Sequence, residues 1–105
     1  MSWDITLTEK KLEEVEVADI GDYTYNVSKM YKKAMGKTMS DFHGKRAKDI
    51  LDIITKGYQC MVSNEEEYKH LNPVNGWGNY HGAVDYLDKL IKSCEEHPNA
   101  IVNVN

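Results

Sequence analysis

The sequence predicts an α+β domain: a small antiparallel sheet of two N-terminal strands and one C-terminal strand, with three to four helices packed on one face. Two observations carry this. Apolar residues alternate with polar ones near the start of the chain and form a short β-branched run at its end, while the segments between them repeat their apolar positions at helical spacing. A third observation sets the scale: 105 residues is the size of one domain, 1–105, which buries about two-thirds of its unfolded surface and folds without staples.

Trp3, Ile5 and Leu7 alternate with Asp4, Thr6 and Thr8, the pattern of a strand with one buried face. Val15 and Val17 repeat it after a Lys-rich connection, Glu9 to Lys11, so the two segments pair as a hairpin. Gly21-Asp22 then punctuates the chain, and Tyr23-Thr24-Tyr25-Asn26-Val27 suits the end of a strand or an ordered loop. Ser28 is a candidate cap for a short helix from Lys29 to Met35, stopped by Gly36. A longer helix spans about Lys45 to Val62, with Ala47, Ile50, Leu51, Ile54, Tyr58, Met61 and Val62 on one stripe and Gly57 as a candidate kink. Ser63-Asn64-Glu65-Glu66 reads as a capping box opening another short helix through Tyr68. After the loop Asn72 to Gly78, Ala83, Val84, Leu87, Leu90, Ile91 and Cys94 mark a last helix to about Glu96, ended by His97-Pro98-Asn99. Ala100 to Val104 closes the sheet beside the first strand.

The beginning Met1-Ser2-Trp3-Asp4 has neither the basic start nor the apolar stretch of a secretory signal, and no run approaches the roughly 20 apolar residues that span a bilayer. The expectation is a cytoplasmic protein without a membrane partner. Cys60 and Cys94 lack CxxC spacing and read as partly buried reduced thiols. Net charge is −4, which argues against nucleic acid as a partner, but it is unevenly spread. Tyr23 to Lys48 carries +6, from Lys29, Lys32, Lys33, Lys37, Lys45, Arg46 and Lys48 against Asp41, leaving −10 on the remainder. Such asymmetry points to one anion-facing side.

Motifs that would signal an enzyme are missing. There is no P-loop, GxSxG elbow or GxGxxG fingerprint, and His43, His70, His81 and His97 show neither HExxH nor paired Cys/His spacing, so no cofactor or metal is expected. Glu65-Glu66-Glu67 is read as a solvated acidic first turn.

The chemistry concentrates in two loops, Gly21 to Ser28 and Asn72 to Gly82, rich in aromatic rings, amides and glycines. Rings stack, amides donate and accept at the edge of a base or sugar, and glycine admits close backbone approach. The candidate ligand-binding residues are Tyr23, Tyr25, Asn26, Asn75, Trp77, Asn79 and Tyr80, with Lys29, Lys32 and Arg46 supplying positive charge. The competing reading of the same residues is structural: aromatics covering the ends of the helices, and asparagines and glycines making turns and a cap.

Gly21 to Ser28 with Met30-Tyr31, together with Leu71-Asn72-Pro73, Asn75-Gly76-Trp77-Gly78, Gly82-Ala83 and His97-Pro98-Asn99-Ala100, resembles a family of small uncharacterised bacterial and phage-encoded proteins. Their shared motifs are YTYNVS and NPxNGWGxYxGA, and members usually carry proline where this chain has Lys29. Small phage proteins often antagonise host defence. By that analogy the resemblance implies a non-catalytic protein that sequesters a small anionic, nucleotide-like ligand, or one that clamps onto a host protein. A small hydrolase or transferase built on Cys60, Cys94 or a histidine is the third reading. The exposed aromatics equally suit a homo-oligomer whose copies complete a shallow pocket.

Overall fold

A computed structural model of the chain describes residues 2–10 and 13–105. Strand β1 (Ser2–Lys10) pairs antiparallel with β2 (Glu14–Thr24) on one side and β3 (Ile101–Val104) on the other, in the order β2-β1-β3. This is the α+β arrangement expected, with the C-terminal strand beside the first. Glu9 and Lys10 belong to β1 rather than to a connection, and Lys11 lies outside the described residues. Gly21-Asp22 does not interrupt the strand either: β2 runs through both to Thr24.

Trp3, Ile5 and Leu7 are fully or almost fully buried, and Val102 joins them opposite Leu7. On β2 the alternation is broken by register shifts opposite Ile5/Thr6 and Leu7/Thr8, which insert Ile20 and Val17 as extra residues. A bulge bends and twists its strand. Val15, opposite Glu9 near the turn of the hairpin, is 41% exposed, while Ile20 enters the core.

The helices are α1 (Ser28–Met35), α2 (Ala47–Ser63), α3 (Glu65–Lys69) and α4 (Tyr80–Glu96). They stack their apolar stripes on the Trp3 face of the sheet. Gly57 does not kink α2. It is buried facing α1, where an added Cβ would stand 3.1 Å from Met35 Sδ, so the glycine sets how closely the two helices approach. Ser28 is also not a cap. It is the first helical residue, its Oγ donates to Tyr25 O at 2.7 Å, and the turn begins earlier as a 3-10 segment, Tyr25–Val27, where Thr24 Oγ1 accepts from Asn26 N–H.

The capping box at Ser63 does not form. Helix α2 extends through Ser63, and Asn64 turns its side chain back to donate to Cys60 O at 2.9 Å. A further 3-10 turn, Met39–Phe42, has no counterpart in the sequence reading. It is opened by Asp41, which accepts from Thr38 N–H, and it buries Met39 and Phe42.

Helices α2 and α4 run antiparallel, since Tyr80 at the start of α4 donates its hydroxyl to Met61 O near the end of α2 at 2.8 Å. Cys60 adjoins that contact, whereas Cys94 lies about 20 Å further along α4, too far for a disulfide, whose Cα atoms sit within about 7 Å. Both cysteines are free. Burial and the nearby Glu95 carboxylate push the Cys94 thiol up to about 12, so it is no nucleophile at neutral pH. Half-buried Cys60 accepts from Tyr68 Oη at 3.4 Å. Under native conditions a maleimide should label Cys60 and leave Cys94 untouched until the protein is denatured, as mass spectrometry of the labelled peptides will show. No helix among the described residues is long and apolar enough to cross a membrane.

Candidate functional site

The end of β2 and the loop between α3 and α4 meet at one side of the molecule, and tyrosine and glycine chemistry brings them together. Tyr23 Oη accepts from Asn79 N–H at 3.1 Å and donates to Asn79 O at 3.3 Å, a reciprocal pair joining residues far apart in the chain. Two glycines make room for that approach. A Cβ on Gly82 would stand 2.0 Å from Tyr23 Oη, and one on Gly78 would stand 2.5 Å from Thr24 Cγ2. Gly78 also has a φ of +87°, which disfavours any side chain there.

The loop 72–79 is ordered by its own asparagines. Asn72 Oδ1 accepts from Tyr80 N–H at 2.9 Å, Asn75 Oδ1 from Trp77 N–H at 2.9 Å, and Asn79 Oδ1 from Gly82 N–H at 2.8 Å. The last of these caps α4, whose first backbone donors would otherwise lack partners. Asn79→Ala should therefore cost about 1 kcal/mol of stability, read as a lower denaturant midpoint at unchanged slope, and Asn79→Ser should retain most of it.

Two hollows open between these segments. The first, about 630 Å³, is lined by Ser2, Asp22, Tyr23, Thr24, Asn26, Asn75, Trp77 and Gly78. The second, about 420 Å³, is bounded by Asn26, Lys29 and Asn75 together with the His70–Val74 stretch. They share Asn26 and Asn75, so they make one open groove. Trp77 is 70% exposed at one end, beside Asp22, while Lys29 and His70 stand at the other. The groove is thus polarised, with an aromatic surface and a carboxylate at one end and a lysine and an imidazole at the other.

Of the residues proposed from sequence, the fold brings Tyr23, Asn26, Lys29, Asn75 and Trp77 to this groove. The other five lie elsewhere. Tyr25 is half-buried and tilts against Trp3, ring centroids 4.9 Å apart. Tyr80 is buried, its hydroxyl held by Met61 O. Asn79 serves as the helix cap. Lys32 is exposed on α1 and lines neither hollow. Arg46 pairs its backbone with Ile101 just before α2, at the opposite end of that helix from the groove, about 25 Å away along 17 residues. The +6 stretch is therefore spread over several elements, and only Lys29 faces the groove.

Ser2, Asp22 and His70 were not singled out from sequence. Asp22 lies inside the first aromatic loop and His70 directly precedes Leu71-Asn72-Pro73, so adjacency to those motifs was the available signal. Ser2 reaches the site only because β1 pairs with the end of β2, Ser2 opposite Thr24. Among the described residues, no three His, Cys, Asp or Glu side chains converge as metal ligands. No protein-family model, curated protein or solved structure matches the chain.

Proposed function

We propose that this is a non-catalytic binding protein whose groove takes a small, phosphate-bearing, nucleotide-like ligand. The observation that carries the reading is Trp77: a large aromatic face left 70% exposed, on a loop whose backbone is fixed by three asparagine side chains and by Tyr23. Exposed aromatic surface on an ordered loop is a stacking platform with little conformational entropy left to lose. Asn26 and the Nδ2 group of Asn75 supply edge contacts along the groove, Lys29 supplies charge for phosphate and the His70 ring an N–H donor. The groove volumes fall in the range of small-molecule sites. Carried by a phage, as the family resemblance implies, such a protein would act by holding a nucleotide signal of host defence away from its receptor.

The two tryptophans make the test direct, because Trp3 is buried and Trp77 is not. Titration with mononucleotides, cyclic dinucleotides and NAD-derived compounds should quench the exposed indole and leave the buried one unchanged, and Trp77→Phe should remove the quenching signal. Absence of any spectral or thermal response across these classes would overturn the reading.

A second reading rests on Val74, which is fully exposed on the same loop as Trp77. Two exposed apolar side chains on one loop suit an anchor in a host protein's pocket, as an inhibitor would use. That reading predicts a stable complex with a host protein, lost in a Val74→Ser/Trp77→Ser variant, and no small-molecule response.

A further inference from the structure

The two outer edges of the sheet are treated differently. The edge of β3 is closed by the chain itself: Gly44 N–H donates to Val102 O, Val102 N–H to Lys45 O and Ala47 N–H to Ala100 O, each at 2.8 Å. On β2, Gly21 is likewise occupied, its N–H by Asp19 Oδ1 and its C=O by Tyr86 Oη, both at 2.9 Å. From Glu14 to Ala18, β2 pairs with β1 on one side, and among the described residues nothing bonds to its other side. An open edge is a template for another strand.

The side chains along that edge say which strand fits. Every charged residue between Glu13 and Ser28 is a carboxylate, and none of Glu13, Glu14, Glu16, Asp19 and Asp22 forms an ion pair among the described residues. Glu14 and Glu16 alternate with Val15, 41% exposed, and half-exposed Val17 follows them at the bulge. A second copy of this edge would bring its own carboxylates against these, and like charges on paired strands are destabilising. The chain's own basic stretch offers no substitute: Lys29, Lys32, Lys33 and Lys48 lie in helices, and Lys45 and Arg46 already pair their backbone with β3, which leaves only Lys37.

We infer that the Glu14–Ala18 edge is a docking strand for a short extended segment of a partner protein in which lysine or arginine alternates with apolar residues. Backbone hydrogen bonds to β2 give the attachment, and the Glu14 and Glu16 carboxylates with Val15 on the opposite face give the selectivity. This surface is separate from the Trp77 groove and does not depend on what the groove binds.

The test uses the isotope-labelled full chain and two capped five-residue peptides, one alternating lysine with valine and one alternating glutamate with valine. The lysine peptide should shift and protect amides within Glu14–Ala18, and weaken at least tenfold between low and physiological salt. Glu14→Lys/Glu16→Lys, both exposed positions, should lose that peptide at least tenfold and gain the glutamate peptide, with an unchanged circular dichroism spectrum. N-methylating alternate amides of the lysine peptide should abolish binding. Equal binding of both peptides, no shift at millimolar peptide, shifts confined to other elements, or indifference to N-methylation would each overturn the inference.

Discussion

Replacing Trp77 with alanine should abolish most of the groove's affinity while leaving the fold intact. Base–aromatic stacking contributes about 1–3 kcal/mol per base, which corresponds to roughly a 5- to 150-fold weaker dissociation constant. The indole is 70% exposed and its loop is held by backbone bonds to Asn72, Asn75 and Tyr23, none of which involves the ring, so the melting temperature should move by no more than a degree or two. Calorimetric titration of a responding nucleotide against both proteins, with a thermal melt of each, separates the two effects. A folded variant with undiminished affinity would remove Trp77 from the site.

The second large effect is expected at Gly82. Alanine here gains up to about 1 kcal/mol of helix propensity, but its Cβ would stand 2.0 Å from Tyr23 Oη and 2.7 Å from Cζ. The ring has to leave, and with it go both hydrogen bonds to Asn79 and the tilted contact with Tyr86, centroids 5.5 Å apart. Overpacking of this kind costs about 1–3 kcal/mol, a fall of roughly 5–20 °C in melting temperature for a domain of this size. Ligand response should vanish as well, because Tyr23 and residues of the 72–79 loop line the groove together. A double-mutant cycle decides the cause: in a Tyr23→Ala background, Gly82→Ala should cost almost nothing. Additive losses would place the strain elsewhere.

These two residues illustrate how unequally the site was legible. The motif from Asn75 to Gly82 stood out by composition, and its glycines were read as permitting close backbone approach, which is what Gly78 and Gly82 do against Thr24 and Tyr23. The same composition did not separate groove-lining from structural members. Asn75 and Asn79 look alike in sequence, yet Asn79 Oδ1 is committed to Gly82 N–H at the helix start, while Asn75 bonds within its turn and still lines the groove. Tyr80 and Trp77 differ more. Tyr80 opens α4 on its apolar face and is carried into the core, whereas Trp77 precedes the helix and stays outside.

What the sequence determined by itself was local. The period-two pattern at Trp3, Ile5 and Leu7 and the helical stripes of α2 and α4 specify elements and buried faces, because each is a property of neighbouring residues on one backbone geometry. Pairing of the last strand beside the first followed from closing a small antiparallel sheet. Tertiary structure decided which ends of those elements meet. A helical stripe gives the face that is buried but not the direction of its neighbour, so Arg46 and Lys29, close in sequence and alike in charge, were equally good candidates. The antiparallel packing of α2 on α4 then carried Arg46 to the far end of α2 and left Lys29 beside Asn26. Likewise the Ser63 capping box gave way to continuation of α2, whose last residue is Ser63, so that Asn64 and not Ser63 precedes α3. Position along a helix is fixed by long-range packing, and long-range packing is what a pattern of nearest neighbours does not encode.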